Sequence, residues 1–216
     1  MFSLEDTEEA YADRTISRAS GVPAQSMRNA DLDRGQVSDL SKAIVRVSGR
    51  RWLVDGRSGI TAEEIVRSVR KHRRTNDTHV VIVDYVQLVR GARGVSRHDQ
   101  LTEIITTLAD AAKADGLAYV VMSQLNRDLE KRNDKRPLMS DLRESGSLEE
   151  RAKCVVGIYR GHYYTPNKPT KGIDYEHDPP SNYDFVRQVQ LLVLKNNNGA
   201  TGPVYATFDG PTTRME

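Results

Sequence analysis

The sequence has 216 residues, of which 38% are hydrophobic and 29% are charged, and its formal net charge is only +2. This length favours one domain with a substantial core, and the near-neutral charge does not by itself indicate nucleic-acid binding. The sequence shows no membrane span or secretory signal, and its single cysteine excludes an internal disulfide framework, so we expect a cytoplasmic protein without a membrane partner.

The first third of the chain predicts two short strands and two helices. Residues 2–5 form an apolar stub that ends in a carboxylate, as the tail of a strand does, and residues 6–18 are a plausible helix. A polar stretch follows, and residues 51–55 then predict a short strand. Thr61 and Glu64 have the spacing of a capping box, which predicts that a helix begins there.

The middle of the chain predicts a strand, a helix and a second strand. Residues 80–84 are a β-branched apolar run without alternation, which is typical of a strand buried on both faces of a parallel sheet. Residues 99–114 predict a helix that Gly116 ends, and residues 118–122 predict the next buried strand. The apolar residues at helical spacing are Leu101, Ile104, Ile105, Leu108 and Ala112. This βαβ order indicates an α/β fold.

The last third of the chain predicts three strands and a long excursion. Residues 154–159 form another apolar run, and residues 160–183 are rich in Pro, Gly, Asn and Tyr, as a long loop is. Residues 189–194 and 204–208 predict a closing strand pair around a polar turn at 196–202.

Three polar residues follow predicted strands, where α/β proteins bind ligands. Asp84 ends a buried strand and could hold Mg²⁺ through water, or it could cap the next turn. Gln124 follows the next strand and could bind a phosphate or a water, although, taken alone, a polar strand terminus is the simpler interpretation. Glu5 ends the N-terminal stub and could activate water for attack on a γ-phosphate.

Basic and glycine-containing segments are candidates for nucleic-acid contacts. Arg143, within residues 141–149, suits the nucleic-acid backbone, although the same residues could also begin a helix with Ser147 as its cap and Glu150 three residues later. Two basic clusters are present, and solvated surface is the simpler interpretation of the first. The clusters are Arg67, Arg70, Lys71, Arg73 and Arg74, and then Arg127, Lys131, Arg132, Lys135 and Arg136. The five histidines lack metal-ligand spacing.

Four of these segments together resemble the DnaB-type replicative DNA helicases. Residues 80–88 resemble the Walker B strand of that family, and residues 123–127 resemble its sensor strand and loop. Residues 135–149 are similar, almost residue for residue, to its most distinctive stretch, and residues 2–5 resemble the strand with the catalytic glutamate.

The resemblance implies an α/β, RecA-like fold with a mostly parallel sheet flanked by helices. It also implies a homo-hexamer, ATP and Mg²⁺ at subunit interfaces, single-stranded DNA in the channel, and a bacterial or phage-infected cell. Glu5 would activate water, Asp84 would hold Mg²⁺ through water, Gln124 would sense the γ-phosphate, and Lys195 would reach the neighbouring subunit's ATP. The residues expected to bind DNA are Arg127, Arg143, Glu144 and Gly146.

Two departures from the family pattern make the catalytic competence of this chain uncertain. No G-x-x-x-x-G-K-[ST] motif occurs, so we expect residues 1–216 to be a partial RecA-like ATPase domain that begins after the first strand and the phosphate-binding loop. The family usually has an arginine finger two residues after the lysine that matches Lys195, and this chain has Asn197. Losing such a finger typically costs on the order of 10³ or more in rate.

Three functions follow as hypotheses. The first is the motor of an ATP-dependent, 5′-to-3′ replicative helicase in a truncated or split form, with a primase, a helicase loader or a separately encoded N-terminal fragment as partner. The second is a non-catalytic module that binds single-stranded DNA or regulates an intact helicase. A RecA-like recombinase or clock-type ATPase is the third, and residues 143–147 argue against it.

Overall fold

A computed structural model of the chain describes residues 1–49, 52–164 and 187–216. For residues 143–145 it describes the backbone and not the side chains. The strands are β1 (Phe2–Ser3), β2 (Val80–Asp84), β3 (Ala118–Val121), β4 (Cys154–Tyr159), β5 (Gln188–Asn196), β6 (Gly202–Asp209) and β7 (Arg214–Met215). The helices are α1 (Glu8–Ser20), α2 (Ala24–Asn29), α3 (Arg34–Ser48), α4 (Ala62–Arg73), α5 (Arg97–Asp115), α6 (Gly146–Arg151) and α7 (Gly161–Tyr164). Short 3₁₀ helices span Val86–Leu88, Arg127–Lys131 and Met139–Ser145.

A parallel sheet with the order β1-β2-β3 carries the main core. Ser3 pairs with Asp84, and Val83 pairs with Val121, so the carboxyl ends of all three strands lie at one edge. Helices α4 and α5 cover one face of this sheet. Their apolar stripes pack against the strands in one cluster that includes Ile65, Val69, Val81, Val83, Leu101 and Leu108. The predicted α/β architecture is therefore confirmed.

The second sheet is antiparallel, with the order β4-β5-β6-β7. It contains the predicted strand at 154–159, with the bounds that the sequence predicted, and the predicted closing pair, which is β5 and β6. Helix α7 follows β4, and the remainder of the predicted excursion, from residue 165 to 183, lies outside the described residues. No helix in the described part is long and apolar enough to cross a membrane.

The prediction that β2 is buried on both faces is wrong for the described residues. Val81 and Val83 are buried, whereas Val80 on the other face is 52% exposed. Val120 and Met122, in and just after β3, are also exposed. The physical reason is that α4 and α5 cover one face only, and no described helix lies on the other. An apolar run predicts a strand, but it does not indicate whether helices cover one face of that strand or both.

The prediction of a strand at 51–55 is also wrong over the described residues 52–55, where only Asp55 forms a bridge. Asp55 N–H donates to the Met1 carbonyl at 2.9 Å, and Ser3 N–H donates to the Asp55 carbonyl at 3.0 Å. The partner strand β1 is only two residues long, so the ladder cannot extend. Arg51 lies outside the described residues.

Two helices, α2 and α3, occupy the stretch that the sequence left as polar. The overlooked signal was a capping box: the Asp33 carboxylate accepts from Gln36 N–H at 2.8 Å, and the Gln36 side chain accepts from Asp33 N–H at 3.0 Å. Only a narrow stripe of α3 packs inward, around the buried Ala43, and it faces α1. Because this apolar stripe is narrow, the segment remains polar on average, and its composition did not predict a helix.

The predicted helix boundaries in the main core are largely confirmed. The capping box of Thr61 and Glu64 is present, with Glu64 N–H to Thr61 Oγ1 at 3.3 Å and Thr61 N–H to Glu64 Oε2 at 2.8 Å. Helix α5 begins two residues before the predicted start, because Ser96 caps it, and it ends at Gly116, whose φ of 62° suits glycine. Ala111 is buried in the cluster, whereas Ala112 is only partly buried.

Candidate functional site

Three of the predicted site residues lie at the carboxyl edge of the parallel sheet. Glu5 is exposed two residues beyond β1, Asp84 is the last residue of β2, and Gln124 is exposed three residues beyond β3. Because β1, β2 and β3 are adjacent and parallel, these positions share one rim. The fold thus places them where the sequence predicted, and their chemical roles remain predictions.

Asp84 is in an environment that disfavours its charge. Partial burial raises the pKa of its carboxyl, the negative charge of Asp6 raises it further, and the positive charge of Arg14 partly offsets both effects. Arg14 also pairs with Asp6 directly. A cation bound beside Asp84 would favour the ionised form of its carboxyl. The described residues contain no group of three or more His, Cys, Asp or Glu that could hold a metal ion.

The Asp84→Asn variant is expected to be slightly more stable than the parent at neutral pH. The folded-state pKa of Asp84 is raised, so ionisation costs stability above that pKa, and the cost is relieved as pH falls through it. The gain should be at most about 1 kcal/mol because water screens the carboxyl, and it should shrink toward acidic pH. Melting temperature measured against pH tests this.

Asp55→Asn is the matched control with the opposite sign. Hydrogen bonds from Arg57 lower the pKa of Asp55, so this variant should lose stability at neutral pH and converge with the parent in acid. Equal shifts of the same sign for both variants would contradict the assignment for Asp84.

Gln87 joins the ends of β2 and β3, and sequence reasoning did not single it out. Its side-chain amide donates to Ser123 Oγ at 2.9 Å and to the Gln124 carbonyl at 3.2 Å, and its Oε1 accepts from Gln124 N–H at 3.2 Å. The backbone at Gln124 is therefore fixed relative to the segment after Asp84. The only signal in the sequence was the place of Gln87 inside the family-like stretch 80–88.

Asp141 is the hub of the segment that the sequence predicted to contact DNA. It is 8% exposed, and Arg132 binds both of its carboxylate oxygens, at 3.1 and 2.8 Å. Leu138 N–H donates to the same carboxylate at 2.8 Å, and Asn126 N–H donates to the Asp141 carbonyl at 3.0 Å. This hub fixes the 3₁₀ helix Met139–Ser145 against the loop that begins at Gln124.

The DNA-contact candidates sit around this hub, with one correction. The side chains of Arg143 and Glu144 lie outside the described part of the structure, and Gly146 is the exposed first residue of α6. Ser147 lies inside α6 and is not its cap, because the preceding 3₁₀ helix runs directly into the α-helix at Gly146.

The second basic cluster is mostly paired internally. Lys131 pairs with Asp128, Lys135 with Glu130, and Arg136 with Asp134, in addition to the pair of Arg132 with Asp141. Arg127 is exposed and has no hydrogen-bond or ion-pair partner among the described residues. It is consequently the member of the cluster whose charge is most available to a ligand.

Lys195 and Asn197 lie on the antiparallel sheet, apart from the three residues at the parallel rim. The Lys195 ammonium donates to the carbonyls of Glu149 at 2.6 Å and Glu150 at 3.4 Å, near the end of α6. Asn197 directly follows β5, and its N–H donates to the Lys153 carbonyl at 2.9 Å. Among the described residues, these hydrogen bonds of Lys195 and Asn197 go to α6 and to Lys153, and none of them reaches Glu5, Asp84 or Gln124.

Comparisons with known proteins agree on one family. A family model described as "DnaB-like helicase C terminal domain" matches residues 1–216. "Replicative DNA helicase DnaB" of Helicobacter pylori is 30% identical over 237 residues, which covers 100% of this chain and 49% of the relative. The protein with the same description from Buchnera aphidicola subsp. Acyrthosiphon pisum is 33% identical over 219 residues, covering 100% of this chain and 44% of the relative. The chain therefore spans about half the length of these curated relatives.

Two solved structures are similar over nearly the whole chain. A DnaB-like replicative helicase, solved in a study that includes its interactions with primase, superposes with a TM-score of 0.88 at 28% identity, covering 99% of this chain and 49% of that one. A second solved structure, described as an ATPase domain, gives the same TM-score and identity, and here 99% of this chain and 72% of that chain are covered. Both likenesses support the RecA-like fold.

Proposed function

The chain belongs to the DnaB-like helicase C-terminal domain family, and we propose that it supplies most of the ATP-hydrolysing motor of a hexameric, 5′-to-3′ replicative DNA helicase. The observation that carries this proposal is the shared rim of Glu5, Asp84 and Gln124 in a chain that matches the family from end to end. Residues 1–216 would then be one partial RecA-like ATPase domain.

Each rim residue has a chemical role in the proposed reaction. Glu5, exposed to solvent, would activate the attacking water, and Asp84 would hold Mg²⁺ through water. Gln124 would hydrogen-bond the γ-phosphate, and Gln87 would keep its backbone in position. Bound Mg²⁺ would neutralise phosphate charge at this rim.

The phosphate-binding loop has to come from a segment other than these 216 residues, because the motif does not occur in them. The described strands leave room for such a segment. Among them β3 pairs only with β2, and β4 pairs only with β5, so one edge of each is free. Val80, Val120 and Met122 expose an apolar face beside the free edge of β3. An added strand, for example from a separately encoded N-terminal fragment, would pair with the free edge of β3, and residues beside that strand would cover the exposed apolar side chains.

Subunit contacts would complete the catalytic site. Lys195 would leave the carbonyls of α6 and reach the ATP of the neighbouring subunit. Asn197 cannot supply the charge of an arginine finger, so we propose that hydrolysis by this chain is slow unless another residue provides that charge. A primase or a helicase loader remains a proposed partner, and the cytoplasm of a bacterial or phage-infected cell is the proposed location.

The proposed helicase role is tested first by nucleotide binding. We would titrate a fluorescent ATP analogue with Mg²⁺ into the chain alone, and then into the chain mixed with a fragment that carries the phosphate loop. Micromolar binding that needs the fragment supports the motor, and Asp84→Asn should remove its Mg²⁺ dependence. The absence of binding in both mixtures would contradict it.

A non-catalytic module that binds single-stranded DNA is the second candidate, and Asn197 is the observation that favours it. Under this alternative, the DNA segment around Asp141 is intact while hydrolysis is lost. Single-stranded DNA binding without any ATPase activity above background, in the presence of the loop fragment, would select this alternative over the motor.

The Arg127→Ala variant tests the DNA segment in either case. Because Arg127 is exposed and unpaired among the described residues, the variant should bind an oligothymidine several-fold more weakly at low salt. The slope of log K against log salt should fall by about 0.7, the value for one phosphate contact on a single strand. Fluorescence anisotropy at several salt concentrations measures both. Lys42→Ala, on the exposed face of α3, is the control and should change neither, so equal losses for the two variants would contradict the role of Arg127.

A further inference from the structure

A groove of about 700 Å³ runs along the outer side of helices α4 and α5, away from the sheet that they cover. Arg70, near the end of α4, pairs with Asp115 at the end of α5 at 2.9 Å, so the two helices run in the same direction. The C-terminal end of α4 precedes the first residue of β2, so this end of the groove lies toward the sheet edge opposite Glu5, Asp84 and Gln124. The function proposed above does not use this surface.

One wall of the groove carries a row of cations. Arg67, Lys71 and Arg74 are four and three residues apart, so they share one face of α4 over about 10 Å. All three side chains are exposed and form no hydrogen bond or ion pair among the described residues, although the charge of Arg67 helps to lower the pKa of Glu64. Like charges at this spacing repel one another, while the helix dipole favours the cations of Lys71 and Arg74 at the end of α4, so the position that the dipole does not explain is Arg67. The first basic cluster thus divides, because Arg70 and Arg73 are bound to the carboxylate and carbonyl of Asp115.

The α5 wall combines small apolar residues with the polar Thr107 and Asp110. Ala111 and Ala114 lie on the α5 side, and Val66 lies on the α4 side, which leaves space for side chains of a third helix. Glu63, near the start of α4, and Asp110, about 7 Å before Asp115 along α5, line the end of the groove that lies away from Arg74. A nucleic-acid strand has a negative charge on every nucleotide and would meet the Glu63 carboxylate as well as Asp110, whose exposed carboxylate pairs with Arg151 at 3.4 Å, so the groove is a poor fit for it.

We propose that the α4–α5 groove binds an acidic amphipathic helix of a partner protein. Carboxylates at positions i, i+4 and i+7 of that helix would pair with Arg67, Lys71 and Arg74, and the adjoining small apolar face would pack on Val66, Ala111 and Ala114. The Glu63 carboxylate sets the direction of the helix, since acidic residues beside it would be repelled, whereas Asp110 already pairs with Arg151 at 3.4 Å.

The test uses the 216-residue chain and two designed, fluorescein-labelled helical peptides. One has glutamates at i, i+4 and i+7 beside an alanine and leucine face, and the other has lysines at the same positions. Fluorescence anisotropy at low salt should show binding of the acidic peptide only. Arg67→Glu should weaken that binding at least tenfold, and Ala114→Trp, which fills the groove without changing charge, should weaken it at least fivefold.

Lys113→Glu is the matched control, because Lys113 is an exposed cation on α5 that does not line the groove. It should leave the affinity within twofold, and thermal melting should show that all variants fold. Equal losses for Arg67→Glu and Lys113→Glu, equal binding of both peptides, or no binding of the acidic peptide would each overturn the proposal. It would also be overturned if an oligothymidine bound the parent and Arg67→Glu weakened that binding more than Lys113→Glu, which would indicate a nucleic-acid site.

Discussion

Asp141→Ala is expected to destabilise the chain by about 3 kcal/mol, because it leaves a partly buried guanidinium without its carboxylate. The variant removes two hydrogen bonds from Arg132 and the one from Leu138 N–H, and Asp141 itself is almost fully buried. We place the loss of stability at the lower end of the range for buried ion pairs because the Arg132 side chain is 29% exposed to solvent. Urea unfolding at neutral pH measures the change.

The same substitution should weaken single-stranded DNA binding more than it weakens nucleotide binding. Asp141 fixes the 3₁₀ helix Met139–Ser145, which precedes Gly146, and it is joined through Asn126 to the loop after β3. Without this hub the proposed DNA contacts lose their fixed position, and we expect at least a tenfold loss of affinity for an oligothymidine under conditions in which the variant is folded.

Two variants control the Asp141 experiment. Asp39→Ala removes an exposed carboxylate that pairs with Lys42 at 3.5 Å, and it should cost under about 1 kcal/mol. The double variant Arg132→Met with Asp141→Leu removes both charges, so it should recover part of the lost stability. If Asp141→Ala were as mild as Asp39→Ala, the hub would not hold this segment together.

Glu5→Gln is expected to lower the rate of ATP hydrolysis by on the order of 10²–10⁴-fold in an assembly that contains a phosphate-binding loop. Glutamine keeps the size and the hydrogen-bonding ability of the side chain but cannot accept a proton from water. The affinity for nucleotide should stay within a few-fold of the parent, because Glu5 acts on the attacking water and not on the phosphates. Steady-state phosphate release and nucleotide titration together separate these effects.

Glu9→Gln is the matched control for Glu5→Gln. Glu9 is an exposed carboxylate in the first turn of α1, only four residues away, so the substitution makes the same change of charge near the rim. It should leave the rate within about twofold. A Glu5→Gln variant that hydrolyses ATP as fast as Glu9→Gln would show that another group activates water.

Several features were readable from the sequence because their physical causes are local. The capping box at Thr61 and Glu64 needs only a three-residue spacing, and Gly116 ends α5 because glycine adopts a positive φ without strain. The strand at Val80–Asp84 followed from its β-branched run. The resemblance across residues 80–149 pointed to the family because long runs of matching residues carry far more information than any single site.

Tertiary structure decided what depends on residues far apart in the chain. The burial of β2 on one face depends on where α4 and α5 pack, and an apolar run cannot report that. Four of the five cations in the second basic cluster pair with neighbouring carboxylates, as Arg132 does with Asp141, so most of its charge is neutralised internally. In the first basic cluster the charges divide. Arg70 pairs with Asp115, whereas the Arg67 side chain forms no ion pair among the described residues. The sequence by itself determined the elements that have strong local signals, such as α4, α5 and β2, and it pointed to the family. Only the packing of the chain decided which charges are left for a ligand, because a charge is neutralised by whatever lies nearest in space.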